Sequence, residues 1–140
     1  MALPTQIQLQ VVSVDRLLVN EPVDEVQIPG ADGYFGVLPG HTPLLASLQV
    51  GQLSYRSGQE THFLAIAFGF AEVQPDRVTV LARIGERARE IDVARAEAAK
   101  RRAELRLAQS QSEVDFDRAR IALLKSLIRL QVASRVTIRS

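Results

Sequence analysis

Glycine and proline stop partway along this chain, and that break constrains its fold more than any single motif. All eight glycines lie at or before Gly85, and all six prolines at or before Pro75. Residues 86–140 thus lack both of the residues that most often end helices and shape tight turns. Charge divides at the same place. Residues 1–85 carry four basic and eight acidic side chains, a balance of −4, and residues 86–140 carry thirteen basic and eight acidic, a balance of +5. The halves sum to the net +1 of the whole, so no overall field selects a nucleic acid or a membrane surface. We expect two units, 1–85 and 86–140.

The first unit reads as short strands. Ile7, Leu9 and Val11 alternate with Gln8 and Gln10, the period of a half-buried strand. Val26 and Ile28 repeat it ahead of Pro29, and Leu53 with Tyr55 precedes a Ser57-Gly58 turn. The segment 77–81, Arg-Val-Thr-Val-Leu, is rich in β-branched residues and follows a Pro75-Asp76 turn. Phe63–Ala67 is nearly continuous in apolar residues, which predicts a strand covered on both faces. Such strands, about 8–12 residues apart, indicate a β-sandwich or flattened barrel.

The second unit reads as an antiparallel helical hairpin, which makes the whole chain α+β. Residues 88–109 and 116–135 are dense in Ala, Leu, Glu, Arg and Lys, all good helix formers. Ser110-Gln111-Ser112 suits the turn between them, with Asp115 as the expected N-cap. The first helix has a narrow face of Ile91, Ala94, Ala98 and Leu105. The second is apolar along two stripes, Phe116-Ala119-Leu123-Leu127-Leu130 and Ile121-Leu124-Ile128-Val132. A two-helix hairpin has one inner seam, so the second stripe needs another cover: the β-domain, a second protein, or each in turn.

Catalytic constellations are missing. The chain has no cysteine, which excludes disulfides, thiolate metal sites and cysteine nucleophiles. His41 follows a Pro39-Gly40 turn and His62 sits in an expected strand; two histidines without a third ligand at metal spacing read as hydrogen-bonded or surface residues. There is no G-x-S-x-G elbow and no phosphate-binding G-x-x-x-x-G-K-[ST] loop. Asp115 and Asp117 are better explained by the helix dipole than as an acid–base pair. We expect no catalytic residue, no metal and no required cofactor. No apolar run approaches the roughly 18 residues of a membrane span, and Met1–Gln10 lacks the basic and apolar regions of a signal peptide. The expectation is an intracellular, soluble chain that meets a membrane only through a partner.

The basic residues of the hairpin carry more information. Arg95, Arg102 and Arg106 share one face of the first helix, and Arg118, Lys125 and Arg129 repeat the spacing on the second. Arg95 has Asp92, and Arg118 has Asp115, three residues before it. Arg102, Arg106, Lys125 and Arg129 have no acid three or four positions away. The stripes are either solvated faces or a seat for an anionic partner: phosphates, an acidic protein surface or, least favoured, nucleic acid. Apart from Phe116 these helices lack aromatics for base stacking.

Three longer stretches, "GYFGVLPGHTPLL" (33–45), "FAEVQPDRVTVLA" (70–82) and "IDVARAEAAKRRAE" (91–104), resemble the epsilon subunit of bacterial F-type ATP synthases. The resemblance spans nearly the whole chain. It implies a sandwich of about ten strands that binds the gamma subunit and the c-ring, followed by the hairpin. It implies a non-catalytic rotor subunit on the cytoplasmic face of the bacterial membrane. There it would help couple proton flow to ATP synthesis, and its hairpin would extend into the alpha–beta assembly to restrain hydrolysis. Tyr34 and His41 fall in the stretch that docks on the c-ring and gamma; members often carry glutamate where Tyr34 stands. Some members also bind ATP, as a regulatory ligand, in the retracted hairpin. Ile91, Asp92, Arg95 and Ala96 fit their I/L-D-x-x-R-A motif, Glu86 fits the preceding acidic position, and Arg102, Arg118 and Arg129 fit the supporting basic ones. Lys125 stands where tight ATP binders have arginine, giving charge without a planar fork. "AFGFAEV" (67–73) replaces the commoner "SGGFLEV", a difference that touches packing more than mechanism. The alternative reading is a stand-alone ATP-sensing module.

Overall fold

A computed structural model of the chain describes residues 3–135 and the backbone of 137–139. Eight strands come first: β1 (Ile7–Val12), β2 (Leu17–Val23), β3 (Glu25–Gly30), β4 (Gly33–Val37), β5 (Leu44–Ser47), β6 (Val50–Ser57), β7 (Glu60–Gln74) and β8 (Arg77–Arg87). A 3₁₀ turn at Ala88–Glu90 leads to α1 (Val93–Gln109), α2 (Glu113–Ala133) and a short strand β9 (Thr137–Arg139). The strands pair in the order β2-β1-β8-β7-β6-β3-β4, with β5 and β9 also on β7. Among the described residues, only β1 and β8 run parallel.

Each expected strand is present. Ile7, Leu9 and Val11 are wholly buried, as their alternation requires. β2 was not evident from the sequence because Pro22 interrupts it. It lies at the edge of the pairing order, where a missing N–H goes unused. β7 and β8 are long enough to serve two layers. β7 pairs with β6 over Glu60–Ala67 and with β5 over Phe70–Val73. The sandwich therefore has eight strands ahead of the hairpin where about ten were expected, because β7 runs unbroken from its pairing with β6 to its pairing with β5.

The bend between layers falls at Phe68-Gly69. Gly69 has φ +113, and a Cβ there would run into the Leu81 carbonyl of β8. Phe68 has φ 63 and is the one non-glycine residue in the left-handed region among those described. Bulky residues avoid that conformation, so its surroundings must hold it there. Between the layers lies one core, including Leu9, Val26, Ile28, Leu53, Leu64, Val73 and Val78.

The hairpin differs from expectation in three details. Its first helix begins at Val93, because Ile91 and Asp92 are held extended after the 3₁₀ turn. The N-cap of α2 is Ser112, whose hydroxyl accepts the Asp115 N–H at 3.1 Å. Asp115 therefore sits inside the first turn, where its charge faces the helix dipole. The inner face of α1 is Ala96 and Ala103; Leu105 and Ala94 are exposed. The seven-residue spacing held, but the face lies two positions earlier on the helix wheel than Ala98 and Leu105 suggested.

α2 lies over β6 and β7, so Leu64–Ala67 are covered by the core on one side and the helix on the other. Val132 is wholly buried, in a small cluster with Ala65, Ala88 and Ile91, and Phe63, Ile128 and Ala133 pack against it. Phe116, Leu124 and Leu127 of α2 remain exposed.

Candidate functional site

The register of the sheet sets the floor of the site. Val50, Ala67 and Ile84 form one row across β6, β7 and β8; Gln52, Ala65 and Glu86 form the next. Alternate residues such as Leu53 and Ile66 point into the core, so these rows turn outward toward α2. Between them and the hairpin is a cavity of about 430 Å³. Ala99 and Ala122 leave room above the apolar floor, and Glu86, Lys125, Ser126 and Arg129 supply polar atoms. The volume lies in the ~300–1,000 Å³ range of small-molecule sites. The Gln52 side-chain oxygen is buried beside this region and has no hydrogen-bond partner.

Arg129 has the acid that its own helix lacks. Its Nε donates to Glu86 Oε1 at 2.7 Å and its Nη2 to Oε2 at 3.2 Å, a two-pronged pair between α2 and β8. Both side chains are about three-quarters buried, with 26% and 22% exposure. The planar guanidinium fork matches the carboxylate, which a lysine would not do.

Lys125, one turn earlier, takes a different partner. Its ammonium lies 5.7 Å from the centroid of the Phe68 ring, and Arg83 of β8 approaches the same ring at 5.9 Å.

The other sequence-selected residues fall into separate groups. Asp92 is the N-cap of α1, its carboxylate accepting the Arg95 N–H at 3.1 Å. Ile91 and Ala96 are buried in the hairpin's base, whereas Arg95 and Arg102 are exposed on α1. Arg118 lies toward the hairpin turn, in a second crevice of about 340 Å³ shared with Arg106 and Asp115. Eleven residues along α2 separate it from Arg129, roughly 16 Å. The structure thus brings Glu86, Lys125 and Arg129 to one cavity and leaves Arg95, Arg102 and Arg118 outside it.

The joint between the two units is pinned. Arg87 of β8 donates two hydrogen bonds to the Leu18 carbonyl, at 2.8 and 3.1 Å. The Glu90 carboxylate accepts the Arg87 N–H at 2.9 Å and a two-pronged pair from Arg16. Those hydrogen bonds, the Arg16 one foremost, hold the Glu90 carboxyl below its ordinary range. These contacts tie the chain to the sandwich as far as Glu90.

Tyr34 is half exposed, and its hydroxyl accepts the Gln52 N–H at 2.9 Å, taking a bond that β3 no longer reaches. His41 follows in the β4–β5 loop, donating from Nδ1 to the Thr42 carbonyl at 2.6 Å. His62 stacks on Tyr55 with ring centroids 5.0 Å apart, and burial pushes the Tyr55 phenol up to about 12. Among the described residues no three His, Cys, Asp or Glu side chains gather as a metal would need. Among them, too, no helix is long and apolar enough to cross a membrane.

Two family models match, described as "ATP synthase, Delta/Epsilon chain, beta-sandwich domain" over residues 6–88 and "long alpha-helix domain" over residues 89–134. The chain belongs to the ATP synthase epsilon-chain family. The ATP synthase epsilon chain of Syntrophobacter fumaroxidans is 48% identical over 130 residues, covering 93% of this chain and 97% of that one. That of Koribacter versatilis is 52% identical over 106 residues, 76% of this chain and 75% of the relative. Among solved structures, a chain of the Euglena gracilis mitochondrial ATP synthase (OSCP/F1/c-ring) superposes with a TM-score of 0.82 at 28% identity. The match covers 96% of this chain and 85% of that one. A chain of the Tetrahymena thermophila central stalk and c-ring shares the fold, with a TM-score of 0.66 at 8% identity over 94% and 99% of the two chains. The epsilon chain is an accessory subunit of the synthase complex, in keeping with neighbours drawn from the F1 and c-ring assembly.

Proposed function

We propose that the chain is a central-stalk rotor subunit whose sandwich carries assembly and coupling and whose hairpin regulates. The observation that carries this reading is the seating of the hairpin. It rests on the sandwich through small side chains, one apolar cluster and the Arg129–Glu86 pair, leaving Phe116, Leu124 and Leu127 of α2 uncovered. A face seated that lightly can leave one surface for another. In the retracted state the sandwich covers Ile128 and Val132; in an extended state the alpha and beta subunits would cover them, restraining ATP hydrolysis.

The sandwich has surfaces suited to fixed partners. Phe70 and Leu81 face each other across β7 and β8 and are exposed, as is Leu45 on β5. An apolar face of this kind is what a permanent partner subunit covers, and gamma is the partner that the family supplies. Tyr34, Leu38 and His41 follow one another along an exposed segment that would meet the c-ring and gamma. In this reading the chain reaches the cytoplasmic face of the membrane through the complex.

ATP is the ligand proposed for the hairpin. Lys125 would meet its phosphates in the cavity, and Arg129 would join once released from Glu86. Asp92 and Arg95, which lie outside the cavity here, would have to move to reach it. ATP that binds the retracted form alone would favour it by about 1.4 kcal/mol at ten times its dissociation constant. That bias shifts a balanced two-state hairpin tenfold.

Affinity purification of the tagged chain from its own cells tests the rotor assignment. Gamma and the remaining synthase subunits should come with it; a chain recovered alone would contradict the assignment.

A further inference from the structure

Phe68 and Lys125 meet in space although 57 positions separate them. Phe68 occupies a left-handed position, φ 63, that a glycine would take without strain. Its ring is half-buried and carries two cations, Arg83 from the sandwich and Lys125 from the hairpin. Lys125 also lines the cavity with Glu86 and Arg129. Arg129 is already committed to Glu86 on two prongs. Among the described residues, Lys125 is therefore the cavity cation without a carboxylate partner, and the ring holds it.

We propose that Phe68 is a positioning residue that holds Lys125, and with it the middle of α2, on the sandwich when no anion is bound. A phosphate entering the cavity competes with the ring for the same ammonium. Phe68 thus has two opposite effects: it stabilises the empty docked hairpin and weakens binding of an anion there. The second effect rests on the proposal that ATP binds at this cavity; the first stands without it.

A half-exposed cation–π contact corresponds to a factor of about two to five in an equilibrium. Phe68→Leu keeps an apolar side chain at the bend and removes the ring face. Lys125→Met keeps the stem and removes the charge. Hydrogen exchange of α2 amides in the full chain without nucleotide should accelerate about two- to five-fold in either variant. In the double variant it should accelerate no further. Arg83→Met, which removes the cation that does not belong to the hairpin, should leave α2 exchange unchanged. Additive effects, or α2 exchange insensitive to Phe68→Leu and Lys125→Met, would overturn the proposal. Titration calorimetry with ATP separates the two layers. Phe68→Leu should bind about two- to five-fold more tightly than the unmodified chain, and the gain should vanish in the double variant. No heat from any form at millimolar ATP would refute the ATP reading and leave the latch to be judged by exchange. Binding by the unmodified chain that Phe68→Leu leaves unchanged would refute the competition.

Discussion

Leu53 in the sandwich and Ser126 in the hairpin are both buried, yet what surrounds them differs. Leu53 has zero exposure within a continuous core of leucine, isoleucine and valine from every layer. Ser126 lies on a seam whose other fully buried members are Ala96, Ala103 and Ala119, with Val132 at one end. Burying a leucine contributes about 1.5–3 kcal/mol, whereas an alanine withdraws only a methyl group from water. The sandwich consequently carries a large apolar core of its own. The hairpin rests on one small apolar cluster around Val132 and on directional contacts, namely Arg129–Glu86, Lys125–Phe68 and the pinned joint at Glu90, which are few and separately removable.

The strongest challenge to this contrast is to damage each unit in turn. Leu53→Ala should destabilise the sandwich by about 2–5 kcal/mol, read as a fall in the denaturant midpoint. If that loss were under ~1 kcal/mol, the core would not be the source of stability assigned to it. Glu86→Gln breaks the two-pronged pair and leaves the Arg129 charge without its counter-ion. It should ease hairpin opening by about 1.5–3 kcal/mol, seen as faster α2 amide exchange with the main unfolding midpoint little changed. An equal fall in both readouts would mean that the two units unfold as one.

Smaller effects sharpen the boundary. Ser112→Ala should cost about 1 kcal/mol in the stability of α2, visible as helix fraying at 113–116, whereas Asp115→Asn should do less. The reverse order would restore Asp115 as the cap. Glu90 supplies the smallest effect and a pH signature. Its folded pKa lies below the unfolded one, so its contribution is complete above the ordinary glutamate range and is lost as pH falls through the folded value. Glu90→Gln should therefore cost roughly 0.5–1 kcal/mol at neutral pH and converge with the unmodified chain in acid. A difference that persisted undiminished at low pH would exclude the Arg16 pair as its cause.

Much of the fold was legible because it follows local rules. Alternation at Ile7–Val11 gave a buried strand, whereas the last glycine, Gly85, falls two residues before the end of β8 and eight before the start of α1. The misreadings were also local. Asp115 and Ser112 are both good caps, and chain position alone does not say which residue leaves the helical range first. The inner face of α1 was misjudged because Leu105 outweighs alanine in apolarity, while the close approach of α2 admits only Ala96 and Ala103. The site was less legible, because its decisive contacts cross the chain. Arg129 lacked an acid within its helix and found Glu86, 43 residues away, on β8. Lys125 found a ring that sequence spacing could not place, and Gln52 gave no signal at all. The resemblance to the family indicated Glu86 without saying what it touches.

We propose that coupling resides in the sandwich and restraint in the hairpin. The most direct measurement compares synthase complexes assembled with the full chain and with a chain ending at residue 88, recording ATP hydrolysis and ATP-driven proton pumping together. We predict faster hydrolysis with the shortened chain and an unchanged number of protons pumped per ATP. Pumping lost along with the hairpin, or hydrolysis restrained equally in both complexes, would contradict it.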